Sequence, residues 1–407
     1  MNTLLKIAWR SLWRNRRRTI LTASAVVFAM VLALFMRSMQ FGSYDQMIQA
    51  GVNQVGDLQV HDTGYWANQS IDRAFFYKQE LGDSLKSLPE VKAILPKLET
   101  FSLASYGAQT KGVLISGIDP QEENSQTNLS AKIIKGNYLK EQGKGVLLGD
   151  KLAEFLKIGV GDSLVLIGQG YRGLTAYGIY PVAGIFHLPS LEMNSQLVYM
   201  NLPNTQEFVY PYQEGLLTGI SIFLKNPSEI NEAQKQIESR LGKDYEVISW
   251  KTILADMLQT IQLDNVSGQI MLFILYIIAA FGIFSTVLMM TMEKRKQYAV
   301  MVSIGMQRTK LIAVSVLETF IVAIIGVIIG LIIITPILIY LHLNPIPITG
   351  DMAEMYLEFN IEPVLPFALQ PDIFIKQTLI ILGLSLLSAL YPVFYLSFFK
   401  VLNAFRH

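Results

Sequence analysis

The sequence predicts an α-helical membrane protein with four transmembrane helices and an α+β domain inserted between spans one and two. Three observations lead there. Only 16% of the 407 residues are charged, while 51% are hydrophobic; an average soluble domain carries about 25% charged residues. The apolar residues gather in four blocks instead of spreading along the chain. Lysine and arginine flank those blocks asymmetrically, which is how an inserted chain records its orientation.

A span needs about 20 apolar residues to cross roughly 30 Å of hydrocarbon. The first block, 20–36 (ILTASAVVFAMVLALFM), is slightly short, and Arg18 and Arg37 can snorkel to the two interfaces. Residues 1–18 precede it with Lys6, Arg10, Arg14, Arg16, Arg17 and Arg18. These arginines are a topology signal. Leu4, Leu5, Ile7, Ala8, Leu12 and Trp13 also share a face, so the segment can lie along the membrane as an amphipathic helix. The two roles are compatible. No small-residue cleavage site follows the apolar run, so it is expected to be a retained helix and not a signal peptide. The first span and its stalk are expected to occupy 19–48.

Residues 49–251 are long enough for a folded core. Short β-branched runs bounded by turn residues predict strands: GVLISGID (112–119), SLVLIGQG (163–170), YPVAGIF (180–186), QLVYM (196–200) and GISIFL (219–224). DKLAEFL (150–156) predicts a short helix capped by Asp150. Residues 228–241 predict an amphipathic helix with Ile230, Ala233, Ile237 and Leu241 on one stripe. A second stalk and span follow at 252–292, with its apolar block at 270–292. A loop occupies 293–310 and the third span 311–341, with Pro336 as a kink site. The loop 342–372 contains HLNPIPITG (342–350), whose prolines forbid a continuous helix. The fourth span covers 373–399, and 400–407 form a tail.

Basic residues sit before span one, between spans two and three (Lys294, Arg295, Lys296, Arg308, Lys310) and after span four (Lys400, Arg406). The loop between spans three and four is acidic, with Asp351, Glu354, Glu358, Glu362 and Asp372. Both termini and the loop 293–310 are therefore expected in the cytoplasm, with the large domain outside.

The sequence excludes several chemistries. It has no cysteine, so no disulfide, thiol catalysis or Cys-ligated zinc is possible. A net charge of +1 gives no basic field for nucleic acid. No phosphate-binding loop occurs: in GNYLKEQGKGV (136–146) the glycines are seven apart and no Ser or Thr follows the lysine. His61, His187, His342 and His407 show no metal-ligand spacing. No catalytic residue, metal site or cofactor is expected in this chain. The spans hold few ionisable groups, Glu318 and Lys376 among them, where a proton-coupled transporter needs several.

The most informative stretch is EKRKQYAVMVSIGMQRTKLIAVSVLETF (293–320). Charged residues come first. Tyr298, Val300, Met301 and Ile304 then give apolar faces on a short helix, which Gly305 can end in a left-handed cap. Such a helix either merely connects two spans or is presented to a cytoplasmic partner.

This stretch resembles the loop between spans two and three of the FtsX/MacB/LolC–LolE type of ABC transporter permease. Glu293, Arg295, Val300, Ser303, Ile304, Gly305, Met306 and Glu318 match the family pattern. Gln297 stands where the family usually has Glu, and Ala299 where Gly is usual; an amide at 297 can hydrogen-bond but not form an ion pair. IAWRSLWRNRRRTILT (7–22) resembles the family's opening helix. GVLISGIDP (112–120), GVLLGDKLAEFLKIGVGDSLVL (145–166) and YPVAGIF resemble a MacB-type periplasmic core domain. SALYPVFYLSFFKVLNAFR (388–406) resembles the closing helix and tail, with Pro392 at the family's proline position.

The resemblance implies a multi-pass protein of the bacterial inner membrane that works by mechanotransmission. Two permease subunits, identical or paralogous, pair. A cytoplasmic ATPase dimer, which binds ATP and magnesium, docks on their coupling helices. Glu293, Arg295, Gln297, Tyr298, Met301, Ile304 and Gly305 are the implied coupling residues. TILADMLQTIQLDN (252–265) resembles the LolC/LolE subgroup, which implies extraction of lipoproteins or other membrane-anchored substrates, with a periplasmic acceptor or adaptor. An acyl-chain pocket at the outer leaflet would draw on Phe35, Met36, Met39 and Phe41 from one stalk and Leu258, Ile261 and Met271 from the other; plain helix packing is the alternative for these residues. Two other functions fit the family: MacB-like efflux of peptides or amphiphiles, and FtsX-like signalling to a cell-wall hydrolase.

Overall fold

A computed structural model describes residues 2–14, 16–188, 191–350, 352–353, 356 and 363–398. The tail 400–407, with Lys400, Arg406 and His407, lies outside the described residues, as do Asp351, Glu354, Glu358 and Glu362. The chain divides into two compact units. One comprises 1–45, 260–347 and 365–407; the other comprises 46–259 and 348–364.

Among the described residues four helices are long and apolar enough to span a membrane, each with most of its length in the first unit: Thr19–Val55, Ala255–Glu293, Arg308–Leu343 and Pro371–Ser397. The second unit supplies the α+β domain between the first two of them. The first helix runs unbroken from Arg16 to Val55 and the second from Ala255 to Glu293, 40 and 39 residues respectively. Pro336 sits inside the third without ending it. The fourth is broken at Ala389 into Pro371–Ser388 and Leu390–Ser397. Pro392 explains the break, because it has no N–H for the Ser388 carbonyl one turn earlier and its ring crowds that turn.

Spans one and three touch through glycine. A Cβ on Gly326 would lie 2.7 Å from the Val26 Cβ, and one on Gly330 2.9 Å from the Met30 Cβ. This is the small-xxx-small packing by which apolar helices associate when hydrocarbon surrounds them. Val26, Ala29, Met30, Ala33 and Leu34 of the first span are buried against residues of the other three, including Leu272, Val287, Val327, Ile334 and Ile381.

In the second unit the strands are β1 (Leu58–Asp62), β2 (Phe75–Phe76), β3 (Val91–Tyr106), β4 (Gln109–Ile118), β5 (Ile133–Gly136), β6 (Val146–Gly149), β7 (Ser163–Gln169), β8 (Thr175–Phe186), β9 (Leu197–Asn201), β10 (Leu216–Leu217), β11 (Gly219–Leu224) and β12 (Tyr245–Ser249). β3 belongs to two layers. Its first half pairs with β11 in the antiparallel order β12-β1-β11-β3. Its second half joins a closed circuit, β3-β4-β9-β6-β8-β7 and back to β3. Alternate residues of that ring, among them Leu98, Val113, Ile115, Leu148, Leu164, Leu166, Val182 and Val198, fill one core together with Leu152 and Leu156 of helix Asp150–Leu156. Closing the ring removes edges that would otherwise pair with foreign strands. The open sheet buries its face on Leu85 and on Ile230, Ala233 and Ile237 of helix Ile230–Leu241.

Asp150 is not the cap of its helix. It occupies the first turn, behind Gly149, and its carboxylate accepts from the Lys151 N–H and pairs with His187 Nδ1 at 2.8 Å.

The first long helix ends inside the second unit at a built joint. Gly56 turns left-handed (φ +87°). The Asp57 N–H then donates to the Ile222 carbonyl at 2.9 Å, and the Asp57 carboxylate accepts from the Leu224 N–H at 2.8 Å. The Asp57 carbonyl accepts from the N–H of Trp250, the first residue of the short helix Trp250–Ile253. One turn away, a Cβ on Gly51 would fall 2.6 Å from the Leu254 Cδ1.

Candidate functional site

Helix Ala255–Glu293 and helix Arg308–Leu343 are joined by one short helix, Arg295–Ser303. A single residue, Lys294, separates it from the span before. Its far end is closed by a Schellman motif. Gly305 adopts φ +98°, its N–H reaches the Val302 carbonyl, and the Met306 N–H reaches the Met301 carbonyl, each at 3.0 Å. Only glycine takes that backbone without strain, so position 305 fixes where the helix stops.

The inner face of this helix is packed. Tyr298 and Ala299 are buried with Leu311 and Leu396, and Met301, Val302, Met306, Ile312 and Tyr395 surround them. The connector is thus seated on the start of the third span and the end of the fourth. Burial, reinforced by the Glu318 charge, holds the Tyr298 phenol well above its ordinary pKa, so it stays neutral. The Arg308 guanidinium donates to the Ser397 carbonyl at 3.3 Å.

Its root is electrostatic. Lys294 Nζ lies 2.6 Å from Glu318 Oε2, and both side chains are only 2% exposed. The same ammonium donates to Ser11 Oγ at 2.9 Å. Glu318 is therefore the partner of a lysine and not a free acid inside a span. Ser11 belongs to helix Asn2–Arg14, which is linked a second time by Arg14 donating to Gln297 Oε1 at 2.5 Å. An amide at 297 accepts this bond without an ion pair.

The outer face is different. Lys296, Val300, Ser303, Ile304, Gly305, Gln307, Arg308 and Lys310 are exposed. Ile304 is 82% exposed at the tip of the helix, an apolar side chain left almost bare among the described residues.

The seven residues marked from sequence as coupling residues therefore split. Ile304 and Gly305 stand outward at the tip, and Glu293 is exposed at the end of the second span. Arg295 is half-buried. Tyr298 and Met301 face inward, and Gln297 is held by Arg14. The sequence reading missed Lys294 and Ser11 as structural partners. No spacing links Ser11, Lys294 and Glu318, so only the fold could bring them together. The glycine pair Gly326 and Gly330 was readable from its spacing.

The residues considered for an acyl-chain pocket each have their own surroundings. Phe35 packs on Phe367 with ring centroids 5.1 Å apart. Phe41 stacks under the Arg37 guanidinium. Met36 and Met39 pack against the four-span core. Leu258 and Ile261 are half-buried, and Met271 is exposed. Between the first two long helices lies a polar network. The Arg37 guanidinium donates to Gln40 Oε1 at 2.6 Å, Gln40 Nε2 to the Tyr44 hydroxyl at 2.7 Å, and the Tyr44 hydroxyl to Asp264 Oδ2 at 2.6 Å. Among the described residues no cluster of His, Cys, Asp and Glu could hold a metal ion.

Two family models match the chain: the MacB-like periplasmic core domain over 19–240 and the FtsX-like permease C-terminal part over 269–401. The chain is 25% identical over 253 residues to the lipoprotein-releasing system transmembrane protein LolC of Xylella fastidiosa, with 60% of each chain covered. It is 23% identical over 318 residues to the lipoprotein-releasing system transmembrane protein LolE of Haemophilus influenzae, with 75% of each covered. Among solved structures, the periplasmic region of MacB from Actinobacillus actinomycetemcomitans aligns with a TM-score of 0.36 at 12% identity, over 50% of this chain and 94% of that one.

Proposed function

The chain belongs to the FtsX/MacB/LolC family of ABC transporter permeases, and from that premise we propose that it is a mechanotransmission subunit that helps extract lipid-anchored proteins from a membrane. In this reading, helix Arg295–Ser303 receives the push of a separate cytoplasmic ATPase. One observation carries the reading: a short helix rooted by the buried Lys294–Glu318 pair, packed through Tyr298, and ending in the bare Ile304. Such a helix resists displacement relative to spans three and four. A force applied at its tip therefore moves the spans and does not merely bend a loop.

The substrate class rests on three supports. Relatives are named for lipoprotein release. The described spans offer few ionisable groups to line a polar conduit. The outer domain exposes an apolar row across three strands, Leu103 opposite Ile167 and Ile167 opposite Tyr177, which suits contact with another protein. In this reading, which the basic segments support, both termini and the coupling helix lie in the cytoplasm and the large domain in the periplasm. A second permease subunit completes the machine.

Purification from native membranes in mild detergent tests this. An ATPase and a lipid-modified protein are expected to copurify. A periplasmic adaptor in place of the lipoprotein would favour efflux, and a hydrolase activator would favour signalling. Recovery without any ATPase would defeat the proposal.

A further inference from the structure

A groove at the basic end of the spans takes no part in the coupling site. Its volume is about 590 Å³, and its walls come from helix Asn2–Arg14, the first span and the third span. That size lies in the range of small-molecule sites, roughly 300–1,000 Å³. Arg16 is the one ionisable side chain among its lining residues; the others are aliphatic or aromatic apart from two hydroxyls.

Three features say what fills it. The first is length. The groove follows the first span from Thr19 to Val31, about 18 Å at 1.5 Å per residue. Half of a hydrocarbon core of roughly 30 Å is one leaflet, so the groove is one leaflet deep. The second is its rim. Trp9 and Trp13 pack edge to face and are 47% and 64% exposed; indoles prefer the headgroup level. The third is charge. No Asp or Glu occurs before Asp45, Arg16 lines the groove, and Arg10 and Arg17, next in sequence to the lining residues Trp9 and Arg16, are exposed.

We propose that the groove binds one anionic glycerophospholipid of the leaflet at the basic end. An acyl chain lies along the first span against Ile329 and Ile333, and the phosphate meets Arg16. The lipid would then brace helix Asn2–Arg14, which itself holds Gln297 through Arg14 and Lys294 through Ser11. The groove and its charge stand independently of any ATPase, so failure of the coupling reading would leave this site intact.

Tryptophan quenching tests it directly. The full chain carries four tryptophans, so Trp66→Phe with Trp250→Phe leaves Trp9 and Trp13 as reporters. Nanodiscs of phosphatidylcholine and phosphatidylglycerol would carry bromines near the glycerol end of the chains of one lipid or the other, at equal bromine content. A membrane-proximal basic residue attracts anionic lipid by about 1 kcal/mol, an enrichment of about fivefold. Brominated phosphatidylglycerol should therefore quench several-fold more than brominated phosphatidylcholine. Arg16→Gln with Arg17→Gln should remove that preference. Ser24→Phe, or the smaller Ser24→Leu if the first loses helix content, should fill the groove and lower quenching. Equal quenching by both lipids, or no effect of groove filling in a helical variant, would overturn the proposal. So would shielding from both lipids, the result expected if a second protein chain covers the face.

Discussion

Lys294 and Glu318 surrender almost all their water in exchange for each other and Ser11, so each is costly to leave alone. Removing one partner of a buried ion pair typically costs about 3–5 kcal/mol, while replacing both with apolar residues is often neutral. Glu318→Leu or Lys294→Met should each lower the unfolding midpoint in detergent sharply, and the double variant should recover most of the loss. Equal loss in all three would mean the pair is not coupled. Ile304→Asp should behave oppositely: little change in stability, because the side chain is 82% exposed, but loss of ATPase binding by tenfold or more, as for a central interface anchor at about 2 kcal/mol. Affinity measured with the purified ATPase distinguishes these. In the outer domain, burial lowers the His61 pKa although the Thr218 carbonyl and Glu246 oppose it. The unfolded chain therefore takes up a proton first as pH falls. His61 should thus withdraw stability from the ordinary histidine value near 6.5 downward, by at most about 1.4 kcal/mol per pH unit. His61→Gln should flatten that part of a denaturation profile measured from pH 7.5 to 5.5. At this scale the sequence was only partly legible. Ile304 and Gly305 could be marked because they are adjacent to a helix end, whereas the partners of Glu318 come from two other segments.

The elements were legible where pattern and chain proximity agree. β4, β7, β8, β9 and β11 carry β-branched runs bounded by turn residues and were anticipated, as was helix Ile230–Leu241 with its stripe of Ile230, Ala233 and Ile237. β3 was not. It is 16 residues long, carries Pro96 together with Lys92, Lys97 and Glu99, and changes partners from β11 to β4 partway along. A proline and charges normally argue against a central strand; here Pro96 sits close to the changeover between the two layers. β6 is only four residues long, and Val146 is its single β-branched residue, so it offers little strand signal. The closed ring is set by pairing between distant strands, which no local pattern encodes. Helix contacts inside the membrane follow a simpler rule of size. Gly326→Leu would drive a side chain into Val26 and the Ala23 carbonyl. It should cost about 1–3 kcal/mol, the usual penalty for overpacking, whereas Gly383→Leu, which meets nothing within 4 Å, should be near neutral. Unfolding of the two variants side by side in the same detergent checks the contrast.

On the scale of the whole molecule, the proposed work depends on stiffness along single helices. The first span continues without interruption to Val55, where Gly56 and Asp57 tie the helix end to β11 and to Trp250. Gly51 lets the start of the second long helix approach within direct contact through Leu254. A movement imposed near the coupling helix would reach this joint only if no flexible residue intervenes. Ile48→Gly with Gln49→Gly places two such residues just below the joint. Each glycine costs about 1 kcal/mol in a helix interior, too little to unfold the chain but enough to give a hinge. The variant should insert, bind the ATPase and support nucleotide turnover near the parental rate, while release of a lipid-anchored substrate from proteoliposomes falls at least about tenfold. The corresponding pair of alanines retains helix propensity and should release substrate normally. If the glycine pair released substrate as well as the alanine pair, force would not travel through this helix, and the role of the outer domain would have to be sought in its exposed apolar row instead.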